Sequence, residues 1–252
     1  MIKPDRKMEG FIGSGSVIKN TSGHASSKIY GNCRVFDSDL SPQATIGDFS
    51  TVRESFIGER SSIQRYGDIW GLRLGRYSCI GRMCTIQECK IGSFCALADY
   101  LTIGCDDHDY NMITTHPFWH DSSWGISDDV EFSNQYRKKE YAQPCEIGHD
   151  VWLGAGVIVC RNVHIGDGCV IGAGAVITKD IPPYSVVVGC PGRVIKKRFS
   201  DDVIERLEKC KWWNLPLPVI KKNLAIFQDG HLDEVRMAKL EALCHDNQTP
   251  CL

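Results

Sequence analysis

The sequence predicts a mainly β fold, a parallel coil of short strands wound three to a turn, broken once by a long loop and followed by a helical tail. Three observations predict it. Aliphatic residues recur every 17 positions along three interleaved ladders, residues 104–144 interrupt those ladders, and the chain beyond Pro191 abandons them for helical spacing. A period of this kind defines the architecture before any single residue is considered.

The first ladder runs Ile12, Ile29, Ile46, Ile63, Ile80, Leu97, and the second Ile18, Val35, Val52, Ile69, Ile86, Ile103. The third runs Leu40, Ile57, Leu74, Ile91, with Gly23 at its head. Successive aliphatic positions are thus 6, 5 and 6 apart, and after the interruption strict sixes return at Ile147, Leu153, Val159, Ile165, Ile171 and Ile177. An amphipathic helix would repeat at three and four residues, so the hexad describes a strand, a tight turn and the next strand. Two residues before many of these positions sits a small side chain, among them Ser16, Ser27, Ser38, Ser50, Ser55, Ser61, Cys33, Cys84, Cys89, Cys95, Cys145 and Cys169. These suit crowded corners, and the glycines that follow the aliphatic residues (Gly13, Gly47, Gly58, Gly75, Gly81, Gly92) are expected to permit the turn conformation. About eight coils at ~4.8 Å each make a prism ~38 Å long. Ser200 with Asp201 and Asp202 reads as a helix N-cap and acidic first turn. PVIKKNLAIF and HLDEVRMAKLEALC then read as two further amphipathic helices, a tail expected to cap the coil. The expected division is a coil domain over 1–198, carrying the 104–144 loop, and a helical extension over 199–252.

Composition narrows function. Lys+Arg 29 against Asp+Glu 31 gives a formal charge of −2, which offers no electrostatic support for a nucleic-acid partner. No apolar stretch is long enough to span a bilayer. The opening MIKPDRKMEG lacks the apolar core of a secretory signal, so a reduced, cytoplasmic protein is expected. Thirteen cysteines include no C-x-x-C pair, the commonest structural zinc signature; six read as buried corner residues, and no metal is expected.

The hexads resemble the hexapeptide-repeat acyltransferases, whose fold is a left-handed parallel β-helix. That resemblance supplies the handedness, since left-handed crossovers depart from the general rule. The loop segment DHDYNMITTHPF resembles the xenobiotic branch, which includes chloramphenicol and streptogramin acetyltransferases. There the base is a histidine just after the last strand, ahead of a Pro-aromatic pair, and His108 before Pro117-Phe118 matches. A competing alignment on the His-Pro of sugar acetyltransferases selects His116, which is read here as a loop-shaping residue. A histidine pKa of about 6.5 suits a general base.

The segment from Ile147 to Phe199 resembles the acetyl-CoA-binding end of the family. The resemblance implies that Trp152, Gly154 and Ala155 line the cofactor arm and that Ala173 offers backbone contacts. Thr178 and Lys179 would lie near the adenosine end, with Arg193 and Lys196 at the phosphates. RFSDDVIERLEKCKWWNLP matches the xenobiotic branch most specifically, with Trp212-Trp213 as a packing anchor.

The expected activity is acetyl-CoA-dependent O-acetyl transfer, in a homotrimer with shared sites, to a hydroxyl of a sugar or polysaccharide precursor. Inactivation of an antibiotic of the chloramphenicol or streptogramin type is the alternative. A β-helical carbonic anhydrase is a remote rival: it needs three histidines around zinc, and five residues beyond His149 the sequence has Gly154. A non-catalytic β-helix is the other.

Overall fold

The computed structural model describes residues 7–105, 108, 111–126, 131, 135, 143–228 and 231–247. The chain divides into two compact units, Met1–Ile195 and Lys196–Leu252. The first is a parallel β-helix. Among the described residues its strands fall into three sheets of ten, eight and seven strands, with the coils pairing in parallel and the sheets visited in rotation as far as Val176–Ile177. Face one begins at Phe11–Ile12, face two at Val17–Lys19 and face three at Ser22–Gly23.

The aliphatic ladders are the register of these sheets. Ile46 pairs with Ile63 and Ile63 with Ile80 on face one, Ile69 with Ile86 on face two, and Ile57 with Leu74 on face three. These side chains are completely buried or nearly so and fill the axis of the prism. The long loop leaves the register untouched. Leu97 pairs with Leu153, Ile103 with Val159 and Ile91 with Ile147, so residues 104–144 are an insertion at the edge between faces two and three.

The corners do more than save space. The Ser55 hydroxyl donates to the Arg53 carbonyl at 2.7 Å and accepts from Leu72 N–H, one coil on, at 3.1 Å. Ser38 accepts from Ser55 N–H, Ser61 from Ser78 N–H and Ser78 from Cys95 N–H, at 2.9–3.1 Å. Each serine thus satisfies a buried amide that the strand ladder leaves over. The six corner cysteines are buried and unbridged. Their S–H groups take the donor half of the role, as with Cys33 to Gly47 O and Cys95 to Gly148 O, both 3.1 Å. Burial pushes the Cys95 thiol up to about 12, which removes the reactive thiolate at neutral pH.

One expectation about the glycines is corrected. Gly13, Gly47, Gly58, Gly75, Gly81 and Gly92, directly after the aliphatic residues, do not supply the left-handed turn conformation; Gly104, after Ile103, does. A Cβ on Gly58 would sit 2.6 Å from the backbone of Leu74 and Gly75, so glycine is needed there because adjacent coils approach closely. The left-handed position falls two residues later at two of the three edges, at Phe49, Arg60, Tyr66, Tyr77 and Tyr100, and one residue later after face two, at Glu54 and Glu88, so it is filled mostly by ordinary residues. That conformation costs about 1 kcal/mol each, offset by coil-to-coil bonds such as Tyr66 N–H to Asp48 O at 3.0 Å.

In the second unit, α1 (Asp201–Cys210) follows Ser200, whose hydroxyl makes no capping bond. The segment PVIKKNLAIF is helical only over α2 (Leu217–Lys222), then a 3-10 turn at Leu224–Ile226. The Asn223 side chain bonds back to Val219 O at the break. α3 (Glu234–Asp246) is capped by Asp233, which accepts from Arg236 N–H at 2.8 Å, and buries Met237, Leu240 and Cys244. Trp213 is buried, with Trp212 packed between it and Phe227 at ring distances of 6.1 and 5.2 Å.

Candidate active site

The loop leaves face two at Gly104. Its φ is +71°, and a Cβ there would lie 2.2 Å from Gln87 O, so glycine is demanded on both counts. Gly104 N–H is still bound to Val159 O at 3.0 Å, and the returning strand is fixed by Cys145 N–H to Glu88 O at 3.0 Å. Both ends of the loop are therefore anchored in the coil. His108 lies four residues beyond this anchor and is exposed. Its Nδ1 is 2.7 Å from the Thr115 carbonyl oxygen. A carbonyl only accepts, so Nδ1 carries the proton and the lone pair resides on Nε2. That is the tautomer a general base acting through Nε2 requires.

His116 is used differently. Its Nδ1 accepts from Phe118 N–H at 3.2 Å, capping the Pro117–Trp119 turn. Its ring stands edge-on to Trp124 with centroids 4.6 Å apart. Asp121 then caps the Ser122–Trp124 turn through Ser123 N–H at 3.0 Å. These contacts tie the two short turns together around His116, although none of the residues in them is buried. Sequence reasoning missed the Thr115 carbonyl, because a backbone acceptor in an aperiodic loop has no residue-type signature.

Trp152, Gly154, Ala155 and Ala173 gather on one edge, between faces one and two. Trp152 projects outward from its strand and is 53% exposed. A Cβ on Gly154 would meet Ala173 N at 2.6 Å, so the two turns stack directly. Ala155 and Ala173 are exposed, and strand spacing puts them ~4.8 Å apart along the edge. Thr178 and Lys179 are exposed at the next edge, after the face-two strand Val176–Ile177. Arg193 and Lys196 are exposed on the strand Arg193–Lys197. The loop that carries His108 departs from the edge that holds Thr178 and Lys179. The Trp152–Ala155–Ala173 group occupies a different one.

Two concavities open on the coil, one of them beside the loop. One, of about 490 Å³, runs along the edge from which the loop departs and is lined by Asn20, Asp37, Glu54, Glu88, Arg73 and Pro144 among others. Gly71 interrupts the row of larger turn residues at this edge, and a Cβ there would strike the Glu88 carboxylate at 2.6 Å. Burial, reinforced by the neighbouring Glu54, raises the Glu88 carboxyl above its ordinary value. The other, of about 500 Å³, lies on face three between Arg73, Lys90, Glu146, His149 and His164. There His149 fixes a corner, its Nδ1 accepting from Ser93 N–H at 2.9 Å and its own N–H reaching Asp167 at 2.6 Å. Among the described residues no group of three or more His, Cys, Asp or Glu side chains is arranged to hold a metal, and no helix is long and apolar enough to cross a membrane.

Comparison with known proteins decides the family. The chloramphenicol acetyltransferase of Morganella morganii is 37% identical over 150 residues, covering 58% of this chain and 69% of that protein. The chain belongs to the hexapeptide-repeat acetyltransferases. Residues 144–179 match the model of the bacterial transferase hexapeptide. A probable macrolide acetyltransferase of Lysinibacillus sphaericus is 37% identical over 148 residues, covering 58% of this chain and 80% of its own. Among solved structures, the polySia specific acetyltransferase NeuO is 22% identical over 76% of this chain and 88% of its own, with a TM-score of 0.44. This hexapeptide-repeat acetyltransferase is therefore a left-handed parallel β-helix with an inserted loop and short C-terminal helices.

Proposed function

We propose that the chain transfers an acetyl group from acetyl-CoA to a hydroxyl of a sugar or polysaccharide precursor, with His108 as general base. The observation that carries the reading is the His108–Thr115 hydrogen bond, which commits Nδ1 as a donor and leaves Nε2 basic. Acetyl-CoA supplies an activated thioester carbonyl. His108 Nε2 takes the proton of the acceptor hydroxyl as its oxygen attacks that carbonyl, and the resulting imidazolium returns the proton to the departing sulfur.

The residues present fit the donor. The exposed Ala155 and Ala173 turns carry no bulky side chain, so their backbone is open to an amide-bearing arm. Lys179, Arg193 and Lys196 are exposed cations that suit phosphates. Because His108 and the Ala155–Ala173 edge lie on different edges of one prism, we further propose that the site is completed by a second copy in a homotrimer. The sugar reading draws on the polar groove beside the loop, whose Asn20, Asp37, Glu54 and Arg73 match a hydroxyl-rich acceptor better than an apolar one.

A second reading has its own support. The relatives from Morganella morganii and Lysinibacillus sphaericus carry the names of chloramphenicol and macrolide acetyltransferases, which favours an antibiotic acceptor. Release of free CoA thiol across a panel of mono- and oligosaccharides, chloramphenicol and a macrolide tests both. The sugar reading expects acceptor-dependent release with saccharides. Release with the antibiotics alone refutes it and supports the second.

A further inference from the structure

The edge between faces one and two changes character once along the prism. Its corners are equivalent from coil to coil: Gly174 N–H binds Ala155 O at 2.9 Å, Gly156 N–H binds Asp99 O at 3.0 Å and Tyr100 N–H binds Arg82 O at 2.9 Å. Two successive corners read Gly154-Ala155-Gly156 and Gly172-Ala173-Gly174. A Cβ built on Gly156 or Gly174 meets no atom of the described residues within 4 Å, so the backbone lies bare along this stretch. The next corner toward the N-terminus reads Ala98-Asp99-Tyr100, and the one before it Gly81-Arg82-Met83. There the edge is filled. Arg82 holds Asp99 through its backbone N–H at 2.7 Å and its guanidinium at 2.6 and 3.0 Å. Tyr100 and Met83 project from the corner, 57% and 50% exposed.

We propose that Tyr100 limits the length of the acyl group this protein accepts, by closing the bare stretch at the acyl end of the donor, where this edge is read as the site of the acetyl-CoA arm. The direction of the arm follows from charge. Lys179 and Arg193 are the cations suited to its phosphates. Arg193 lies two strands beyond Val170–Ile171 on face one, and Lys179 follows Val176–Ile177, one strand beyond Ile158–Val159 on face two. The thioester end therefore points the other way, past Ala173 and Ala155 toward Tyr100. The loop that carries His108 leaves the coil of Tyr100 at Gly104. Copies packed side by side with parallel axes thus bring the base to the level of the acyl group.

One coil, ~4.8 Å, separates the Ala155 corner from that of Tyr100. An acetyl group fits that interval, whereas each further methylene must displace the phenol ring or remain in water without gaining burial. Tyr100 takes φ +63°, close to the +69° of Gly156 and Gly174 in the equivalent position. Glycine there removes the ring and keeps the corner. The next obstacle is then Met83, one coil on, and a longer acyl chain gains apolar neighbours in place of water.

The test is isothermal titration calorimetry of the intact chain and of Tyr100→Gly, Tyr100→Phe and Tyr66→Gly with acetyl-CoA and butyryl-CoA. The wild-type protein should bind butyryl-CoA no more tightly than acetyl-CoA. In Tyr100→Gly the ratio of the two affinities should move toward butyryl-CoA by about tenfold or more, the discrimination that two buried methylenes provide. Tyr100→Phe keeps the ring and should retain the wild-type ratio. So should Tyr66→Gly, which empties the same left-handed corner two coils away, where φ is +62°. An unchanged ratio in Tyr100→Gly overturns the proposal, and so does an equal shift in Tyr66→Gly. Wild-type preference for butyryl-CoA also overturns it and does not depend on any variant folding. Failure of the wild-type protein to bind acetyl-CoA at all overturns the donor reading, and this inference with it; binding with an unchanged ratio overturns the inference alone.

Discussion

Replacing His108 and His116 separately by alanine distinguishes a base from a loop-shaping residue, because the structure assigns them different losses. His108→Ala removes the group whose Nδ1 is held by Thr115 O at 2.7 Å and whose Nε2 is the proposed proton acceptor. General-base catalysis contributes a factor of roughly 10²–10⁴, equivalent to about 2.7–5.5 kcal/mol in the barrier. Since the Ala155–Ala173 edge is built from other residues, KM for acetyl-CoA should stay within about twofold. His116→Ala removes one cap to Phe118 N–H and one edge-on contact with Trp124. Those are worth about 1 kcal/mol each. Even if all of it fell on the population of the ordered loop, turnover would drop no more than about 30-fold. The assay is steady-state CoA release against pH, with both variants checked for intact fold by thermal melting. An inactive His116→Ala beside a near-normal His108→Ala would refute the assignment and favour the alternative alignment.

Two further outcomes test the scaffold. Gly75→Ala would drive a Cβ to 2.5 Å from the Gly92 backbone. The forced separation should cost about 2–4 kcal/mol through strain and a weakened coil-to-coil hydrogen bond. Gly156→Ala, with φ +69° but nothing within 4 Å, should cost only about 1 kcal/mol. Equal losses in urea unfolding would contradict the close-approach account of the first glycine. Glu88 tests the groove. Its carboxyl is raised by burial and by Glu54, so the folded state holds the proton more tightly than the unfolded chain does. Its favourable contribution is complete below the unfolded value and is lost as pH rises through the folded one. Glu88→Gln should therefore raise Tm near pH 7, by no more than about 1 kcal/mol in stability, and leave it unchanged near pH 3.5. A gain that persists at the acid end would show that charge is not its origin.

What could be read from the sequence was whatever repeats. The pairing of Ile46, Ile63 and Ile80 follows from a side chain recurring every 17 residues, and the insertion site follows from where the pattern stops and restarts. The corner serines were legible as small but not as hydrogen-bonding, since their bonds run to backbone amides one coil away. The left-handed corners were misplaced because aromatic and acidic residues such as Phe49, Tyr66 and Glu88 occupy them, against the local preference for glycine. Packing and the coil-to-coil ladder override that preference. His108 was found through resemblance. Its orienting partner Thr115 was not, since that contact lies within an aperiodic loop that no period encodes.

Complementation between two inactive variants tests the account most directly. His108→Ala lacks the base, and Ala155→Trp obstructs the exposed turn proposed to bind the acetyl-CoA arm. Each should be inactive alone. Co-expressed in equal amounts and purified as mixed oligomers, the pair should recover about a quarter of wild-type turnover. Random assembly gives one site in four an intact histidine from one copy and an intact edge from the next. Turnover of the mixed oligomers no higher than that of either variant alone would contradict a site shared between copies.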